Sequence, residues 1–214
     1  LQLIRQAQRP LLYLGGGAIS SGAHQAVLEL AERFRVPVTT TLMGKGAFDE
    51  RHPLAVGMLG MHGTAYANFA VTECDLLIAA GARFDDRVTG RLDSFAPRAQ
   101  VIHIDIDAAE VGKNRIPEVP VVADVNQALR QMLAASVGEQ SHGRTEAWLK
   151  RIDTWKHHYP LVVPAPSGEI APQEVVVALR ELAPEAYITT DVGQHQMWAA
   201  QFLPTKPRHW ISSA

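Results

Sequence analysis

Short apolar runs alternate along the chain with stretches whose apolar positions recur every three to four residues. Pro10-Leu11-Leu12-Tyr13-Leu14 is a continuous apolar run and predicts a buried strand, followed at once by Gly15-Gly16-Gly17. Residues 22–34 place Ala26, Leu28, Leu30, Ala31 and Phe34 mostly on one helical face. Residues 36–41 are short and β-branched, which predicts a second strand. A helix is expected over 63–71, a third strand over 75–80 ending at Gly81, a fourth over 101–107 and a fifth over 119–122. Asp124 stands where a side chain caps a helix that runs to about Leu133. Near-continuous apolar strands separated by helices predict an α/β fold: a doubly wound, Rossmann-like parallel sheet covered on both faces, spanning residues 1–136. Right-handed crossovers then bring every strand C-terminus to one edge.

The pattern changes after Ala135. Residues 136–144 are small and polar, and 145–158 predict a charged helix that contains Trp148 and Trp155. Residues 160–168 hold Pro160, Pro164 and Pro166 and read as a linker, so 137–168 form a connecting segment with one helix. A second βα pattern occupies 169–214: a helix over 172–182, a strand over 187–191, Gly193, a helix through Ala200 and a strand over 209–212. Two strands are too few for an independent core, so this is read as the truncated start of a second α/β domain. The chain opens at Leu1 without a signal segment and stops on the apolar stretch Trp210-Ile211, which predicts a piece of a longer polypeptide.

Composition narrows the function classes. The 47% apolar and 20% charged residues are ordinary for a globular domain and exclude a disordered tail or a collagen-like repeat. With 20 basic against 22 acidic side chains, nothing electrostatic points to nucleic acid or an anionic membrane as partner. Cys74 is the one cysteine, so an internal disulfide and a thiolate zinc cluster are both excluded. The longest apolar run, 76–82, is strand-sized and far short of the roughly 20 residues of a spanning helix.

Ligands of open α/β sheets bind outside the strand C-termini. Here those ends carry Gly15-Gly16-Gly17, Thr41-Leu42-Met43-Gly44, the segment from Gly81 to Arg87, Asp105-Ile106-Asp107 and Asp124. Glycine lets a backbone approach a ligand, a helix N-terminus offers N–H groups to a diphosphate, and a carboxylate can accept from ribose hydroxyls. The set fits a dinucleotide. The triple glycine does not satisfy G-x-G-x-x-G, so a plain tight turn stays open. Asp105 and Asp107 would share a strand face, as a metal pair or, more simply, as turn-capping carboxylates. Asp85-Asp86-Arg87 also reads as a surface ion pair. His157-His158 reads as a solvated helix end, and no metal site is completed by spacing.

Three longer strings carry a resemblance. Leu59-Gly60-Met61-His62-Gly63-Thr64, the segment Gly81-Ala82-Arg83-Phe84-Asp85-Asp86-Arg87-Val88-Thr89-Gly90, and Asp191-Val192-Gly193-Gln194-His195-Gln196-Met197-Trp198 resemble the catalytic large subunits of the acetohydroxyacid synthase (acetolactate synthase) family of thiamine-diphosphate enzymes. The resemblance implies a three-domain subunit, with residues 1–136 as its central flavin-binding domain and 169–214 as the opening of its diphosphate-binding domain. It implies joining of two pyruvates, or of pyruvate and 2-oxobutyrate, with loss of CO₂, on the route to branched-chain amino acids. The implied cofactors are FAD, thiamine diphosphate and Mg²⁺, with no net redox change at the flavin.

Carried over residue by residue, the implied FAD contacts are Gly16, Gly17, Thr41, Leu42, Met43, Leu59, Gly60, Met61, His62, Gly81, Ala82, Arg83, Asp85, Val88, Asp105, Ile106, Asp124 and Val125. Gln194 and His195 match contacts to thiamine diphosphate, and Val192 would lie near its thiazolium. Met61, Asp86 and Arg87 match the substrate channel, where the Arg87 fork would grip the second oxoacid's carboxylate and Asp86 would hold that fork. The resemblance places the cofactor-ionising glutamate and the Mg²⁺ ligands outside these residues, so the chain alone is expected to be inactive. It further implies a homodimer or homotetramer, a small regulatory subunit, and a cytoplasmic or, in a plant, plastid location. A glyoxylate carboligase-like enzyme and a non-catalytic nucleotide-binding module remain the alternatives.

Overall fold

In the computed structural model, which describes residues 1–140, 143–163 and 168–213, the elements run α1 (Gln2–Gln6), β1 (Pro10–Leu14), α2 (Gly16–Ser20), α3 (His24–Phe34), β2 (Val38–Thr40), β3 (Ala55–Met58), α4 (Ala65–Glu73), β4 (Leu76–Ala80) and α5 (Asp86–Thr89). They continue with β5 (Gln100–Asp105), β6 (Val119–Val122), α6 (Val125–Ala134), α7 (Glu146–His158), α8 (Pro172–Leu182), β7 (Ile188–Thr190), α9 (Gln194–Phe202) and β8 (Trp210–Ser212). Residues 141–142 of the small polar stretch, 164–167 of the proline-rich linker and Ala214 lie outside the described residues.

The first six strands form one parallel sheet in the order β3-β2-β1-β4-β5-β6. The chain winds outward from β1 to β3, returns to the other side of β1 as β4, and winds outward again to β6. The crossover direction therefore reverses between β1 and β4, and their C-terminal ends flank the crevice that such a reversal opens.

Every residue of β1 and β4 is buried, because both faces of the sheet are covered. Leu12, Leu14 and Ile78 pack against α3 and α6, through side chains such as Leu30, Phe34 and Leu129. Leu11, Tyr13 and Leu77 point the opposite way, onto α4 and α7 and the aromatic pair Phe84 and Phe95. This is why these strands read as unbroken apolar runs rather than as alternating ones.

Several boundaries differ from the sequence reading. A sixth strand, β3, was not expected. Its Ala-Val-Gly-Met sequence carries Gly57 at φ +78° and one β-branched residue, so it lacks a strand signature and forms by pairing with β2. The glycine triplet opens the one-turn helix α2 rather than a bare turn. The following helix starts at His24, because Gly22 sits at φ +65° and breaks it. The fourth predicted strand ends at Asp105, so Asp105 and Asp107 do not share a strand face.

The charged helix α7 lies against the large sheet's layer. Trp148 and Ile152, one turn apart, are buried among Leu11, Val71 and Val101, while Lys150 and Arg151 are exposed. Trp148 Nε1 donates to the Pro10 carbonyl at 3.0 Å. Lys156 Nζ donates to the Ala55 carbonyl at 2.6 Å, and Arg151 pairs with Glu73 at 2.6 Å.

Strands β7 and β8 pair in parallel as a separate two-stranded sheet, flanked by α8 and α9. This unit docks on the large sheet through Ala199, Ala200, Leu203 and Trp210, which pack on Met58. Polar bonds cross the same boundary: Gln201 Nε2 donates to the His62 carbonyl at 2.8 Å, and the Arg208 N–H donates to the Gly46 carbonyl at 2.9 Å. Among the described residues, no helix is long and apolar enough to cross a membrane.

Candidate functional site

The reversal between β1 and β4 opens a cavity of about 560 Å³. Its walls are the strand ends: Gly15 to Gly17 after β1, Thr41 to Met43 after β2, Gly81 to Arg83 after β4, and Asp105 after β5. Asp85, Arg87 and Val88 close one side, and Asp107 and Glu110 the other.

The glycines here do two different jobs. A Cβ on Gly15 would lie 2.1 Å from the Gly81 carbonyl oxygen, and one on Gly81, at φ +60°, would lie 2.5 Å from the Gly17 Cα. The β1 and β4 turns thus pack backbone on backbone, joined by the Gly17 N–H donating to the Gly81 carbonyl at 3.0 Å. A Cβ on Gly16, by contrast, would meet nothing closer than Met43 Cβ at 3.5 Å. Gly16 is a bare stretch of backbone at the cavity wall, where a planar or phosphorylated ligand can approach it.

The β4 loop is held from behind. His103, buried in β5, hydrogen-bonds through Nε2 to the Ala82 carbonyl at 3.1 Å, and its ring stands edge-on to Phe84 at 5.1 Å. Burial pushes its pKa down, so the ring is neutral, and a carbonyl partner requires the proton on Nε2. Asn114 Nδ2 donates to the Phe84 carbonyl at 2.8 Å. Asp85 caps α5 by accepting from the Arg87 N–H. The Arg87 N–H and the neighbouring Arg83 guanidinium hold the Asp85 carboxyl below its ordinary range. Asn68 clamps Gly60 from both sides, its Oδ1 accepting from the Gly60 N–H at 2.9 Å and its Nδ2 donating to the Gly60 carbonyl at 3.0 Å.

The aspartates divide by role. Asp105 accepts from the Asp107 N–H at 3.0 Å and Asp107 from the Ala109 N–H at 2.9 Å, which closes the turn after β5. Asp124 caps α6 by accepting from the Gln127 N–H at 3.0 Å. Among the described residues, no three His, Cys, Asp or Glu side chains gather to hold a metal ion.

A second cavity of about 420 Å³ lies between the large sheet and α9. Leu42, Met58, Leu59, Met61, His62 and Val88 form one side, and Val192, Gly193, Gln194, Gln196 and Met197 the other. It is largely apolar, with Arg87 as its permanent charge. Leu42, Arg87 and Val88 line both cavities. The Arg87 guanidinium pairs with no carboxylate among the described residues, and Asp86 does not hold it.

The structure therefore brings together, across the two cavities, Gly16, Gly17, Thr41, Leu42, Met43, Leu59, Met61, His62, Gly81, Ala82, Arg83, Asp85, Arg87, Val88, Asp105, Val192 and Gln194. Gly60, Asp86, Ile106, Asp124, Val125 and His195 line neither cavity. Ile106 is exposed beyond the end of β5, and Val125 is buried at the start of α6. The His195 ring lies over Gly193, where a Cβ would meet it at 2.8 Å. Sequence reasoning missed Asn68, His103 and Asn114, which touch the loops from outside the cavities. The one signal for His103 was a polar residue in the middle of an apolar strand run.

Comparison with known proteins bears on these cavities. The chain is 66% identical, along its whole length, to the acetolactate synthase large subunit of Parasynechococcus marenigrum (strain WH8102), covering 35% of that protein. It is 50% identical over 99% of its length to a protein of Methanocaldococcus jannaschii named a probable acetolactate synthase large subunit, covering 37% of it. It is 49% identical along its whole length to acetolactate synthase 1, chloroplastic, of Zea mays, covering 34% of it. The chain thus spans about a third of the length of the curated relatives it matches. The family model for the central domain of thiamine pyrophosphate enzymes matches residues 1–132, the stretch that builds the six-stranded sheet and the first cavity; the chain belongs to the thiamine pyrophosphate enzyme family and carries its central domain.

Proposed function

We propose that the intact protein joins two 2-oxoacids with loss of CO₂, as an acetolactate synthase. On this reading the β1/β4 cavity holds FAD and the adjoining cavity receives the acceptor oxoacid beside thiamine diphosphate. The observation that carries it is Arg87: a guanidinium without a carboxylate partner among the described residues, set in a largely apolar cavity and shared with the strand-end crevice.

The residues present fit both groups. Gly16 leaves open backbone where a flavin nucleotide needs close approach, and Asp105 and Arg83 stand at neighbouring strand ends of the same crevice. Val192, Gly193 and Gln194, at the start of α9, offer thiamine diphosphate an apolar contact and the free N–H groups of a helix terminus. Thiamine diphosphate, when bound, supplies the carbon nucleophile of the carboligation. The chain's own residues orient and desolvate. The Arg87 fork grips the acceptor's carboxylate bidentately, which fixes the direction its keto carbon faces. Met61, Val88, Leu59 and Met197 exclude water from the reacting carbons.

The relatives' names support the activity and, through "large subunit", a smaller partner subunit. The maize relative's name supports a plastid location in plants, and we place other forms in the cytoplasm. Mg²⁺ enters only with the family resemblance, its ligands lying outside these residues. The present residues would supply flavin binding and part of the acceptor site without turnover.

Replacing Arg87 tests the reading. In the intact protein, Arg87→Ala should raise the acceptor KM by on the order of 100-fold, the worth of a charge-assisted bidentate contact of about 2–3 kcal/mol. Arg87→Lys should recover only part of it, because an ammonium keeps the charge and loses the fork. Steady-state kinetics with varied acceptor read this out, and an unchanged KM and rate in Arg87→Ala would end the assignment.

A further inference from the structure

Lys45 and Glu50 are the most deeply buried ion pair among the described residues, with side chains 1% and 8% exposed. Neither lines the two cavities of the site. Glu50 Oε2 also accepts from the Thr205 N–H at 2.8 Å and from Thr205 Oγ1 at 3.2 Å, and the Glu50 N–H donates back to the Thr205 carbonyl at 3.1 Å. The Lys45 ammonium stands 5.2 Å from the centre of the Trp210 ring. One charge pair, on the loop between β2 and β3, thus grips the second unit at Thr205 and Trp210.

Each end of this grip leads to a cavity. Lys45 follows directly on Thr41 to Gly44, whose Leu42 and Met43 line the flavin-sized crevice. Gly44 is seated directly on the end of β1, where a Cβ would lie 2.2 Å from the Leu14 carbonyl oxygen, so Lys45 is tied to that strand end. Leu42 itself packs at the margin of the cluster formed by Met58, Ala199, Ala200 and Leu203. On the other side, Thr205 lies just beyond the C-terminal end of α9. The N-terminal end of that helix presents Gln194, Gln196 and Met197 to the second cavity. A nine-residue helix is a rigid lever between the two.

An apolar pair of similar volume would fill the same space and hold the two units at least as firmly. What a buried ion pair adds is direction: it is satisfied in one register only. We propose that Lys45 and Glu50 are positioning residues that couple occupancy of the β1/β4 cavity to the placement of α9 over the second cavity, so that binding of a flavin nucleotide tightens binding of thiamine diphosphate. The proposal rests on the cavity assignments made above. It gives the flavin an effect on the adjoining site that needs no electron transfer.

The test is a linkage measurement on the intact protein. Thiamine diphosphate with Mg²⁺ is titrated with and without saturating FAD, in the native protein and in the double variant Lys45→Met/Glu50→Leu, which removes both charges at nearly constant volume. In the native protein FAD should tighten thiamine diphosphate by on the order of ten-fold, and thiamine diphosphate should tighten FAD by the same factor. In the double variant that factor should fall to about one, while the protein keeps its melting temperature and binds each ligand alone with native affinity. Lost packing alone would weaken the separate affinities and leave their ratio intact. If the double variant does not fold, Lys45→Met/Glu50→Gln, which keeps an acceptor for the Thr205 N–H, is read in the same way. A native coupling factor of one, or an unchanged factor in the folded variant, overturns the proposal. A native protein that binds no FAD when FAD itself is titrated overturns the cavity assignment, and that direct titration tells the two failures apart.

Discussion

Gly81→Ala is expected to destabilise the protein by about 3–5 kcal/mol, among the largest effects of any single methyl group in the molecule. Two costs add. Gly81 sits at φ +60°, where an L side chain costs roughly 1–2 kcal/mol. The new Cβ would lie 2.5 Å from the Gly17 Cα and 2.7 Å from the Ala18 N, both backbone atoms with no rotamer to yield. Relief requires β1 and β4 to part at their C-terminal ends. That movement breaks the bond from the Gly17 N–H to the Gly81 carbonyl and strains the one from the Gly81 N–H to the Ile104 carbonyl, at 3.0 and 2.8 Å. Gly16→Ala, one residue from Gly17, should cost under about 1 kcal/mol, because its Cβ would come no closer than ordinary contact, 3.5 Å from Met43 Cβ. Urea unfolding of both variants measures the contrast, and a near-equal loss for the two would show that the strand ends are not packed backbone on backbone.

Lys45→Met should cost a similar amount, about 3–5 kcal/mol, for an electrostatic reason. Removing the ammonium leaves the Glu50 carboxylate buried with only the Thr205 N–H and hydroxyl as partners. Burial pulls the Lys45 pKa down, and the Glu50 carboxylate opposes that shift. Deleting both charges, in Lys45→Met/Glu50→Leu, removes the unpaired ion and should restore the loss, giving a coupling energy of several kcal/mol in the cycle. Thermal or denaturant unfolding of the three variants gives the cycle directly. Additive single losses would mean that the two side chains are screened from each other by water.

The central strands were legible because burial on both faces writes a continuous apolar run, as in Leu11 to Leu14 and Leu76 to Ala80. So was the location of the crevice, since parallel winding gathers the strand ends and the glycines mark two of them. The strand β3 was not legible: Ala55 to Met58 contains a glycine at positive φ and becomes a strand only because β2 supplies hydrogen-bond partners. The division of labour within Gly15-Gly16-Gly17 was also hidden. It depends on Gly81, more than sixty positions away, and no local pattern separates the residue that packs from the one that stays open. The Lys45–Glu50 pair lies in a loop with Asp49 and Arg51 and looks like two ordinary surface charges until Thr205 arrives to bury them. Asp86 shows the reverse case, a residue expected to hold the Arg87 fork that forms no ion pair with it.

Titration of FAD into the intact protein and into its Gly16→Leu variant tests most directly whether the β1/β4 crevice holds the flavin. The native protein should bind one FAD per chain saturably, with a shifted flavin absorbance. Gly16→Leu should fold with the native melting temperature and bind none, because its side chain would occupy the cavity wall. No binding by the native protein, or equal binding by the folded variant, would contradict the assignment.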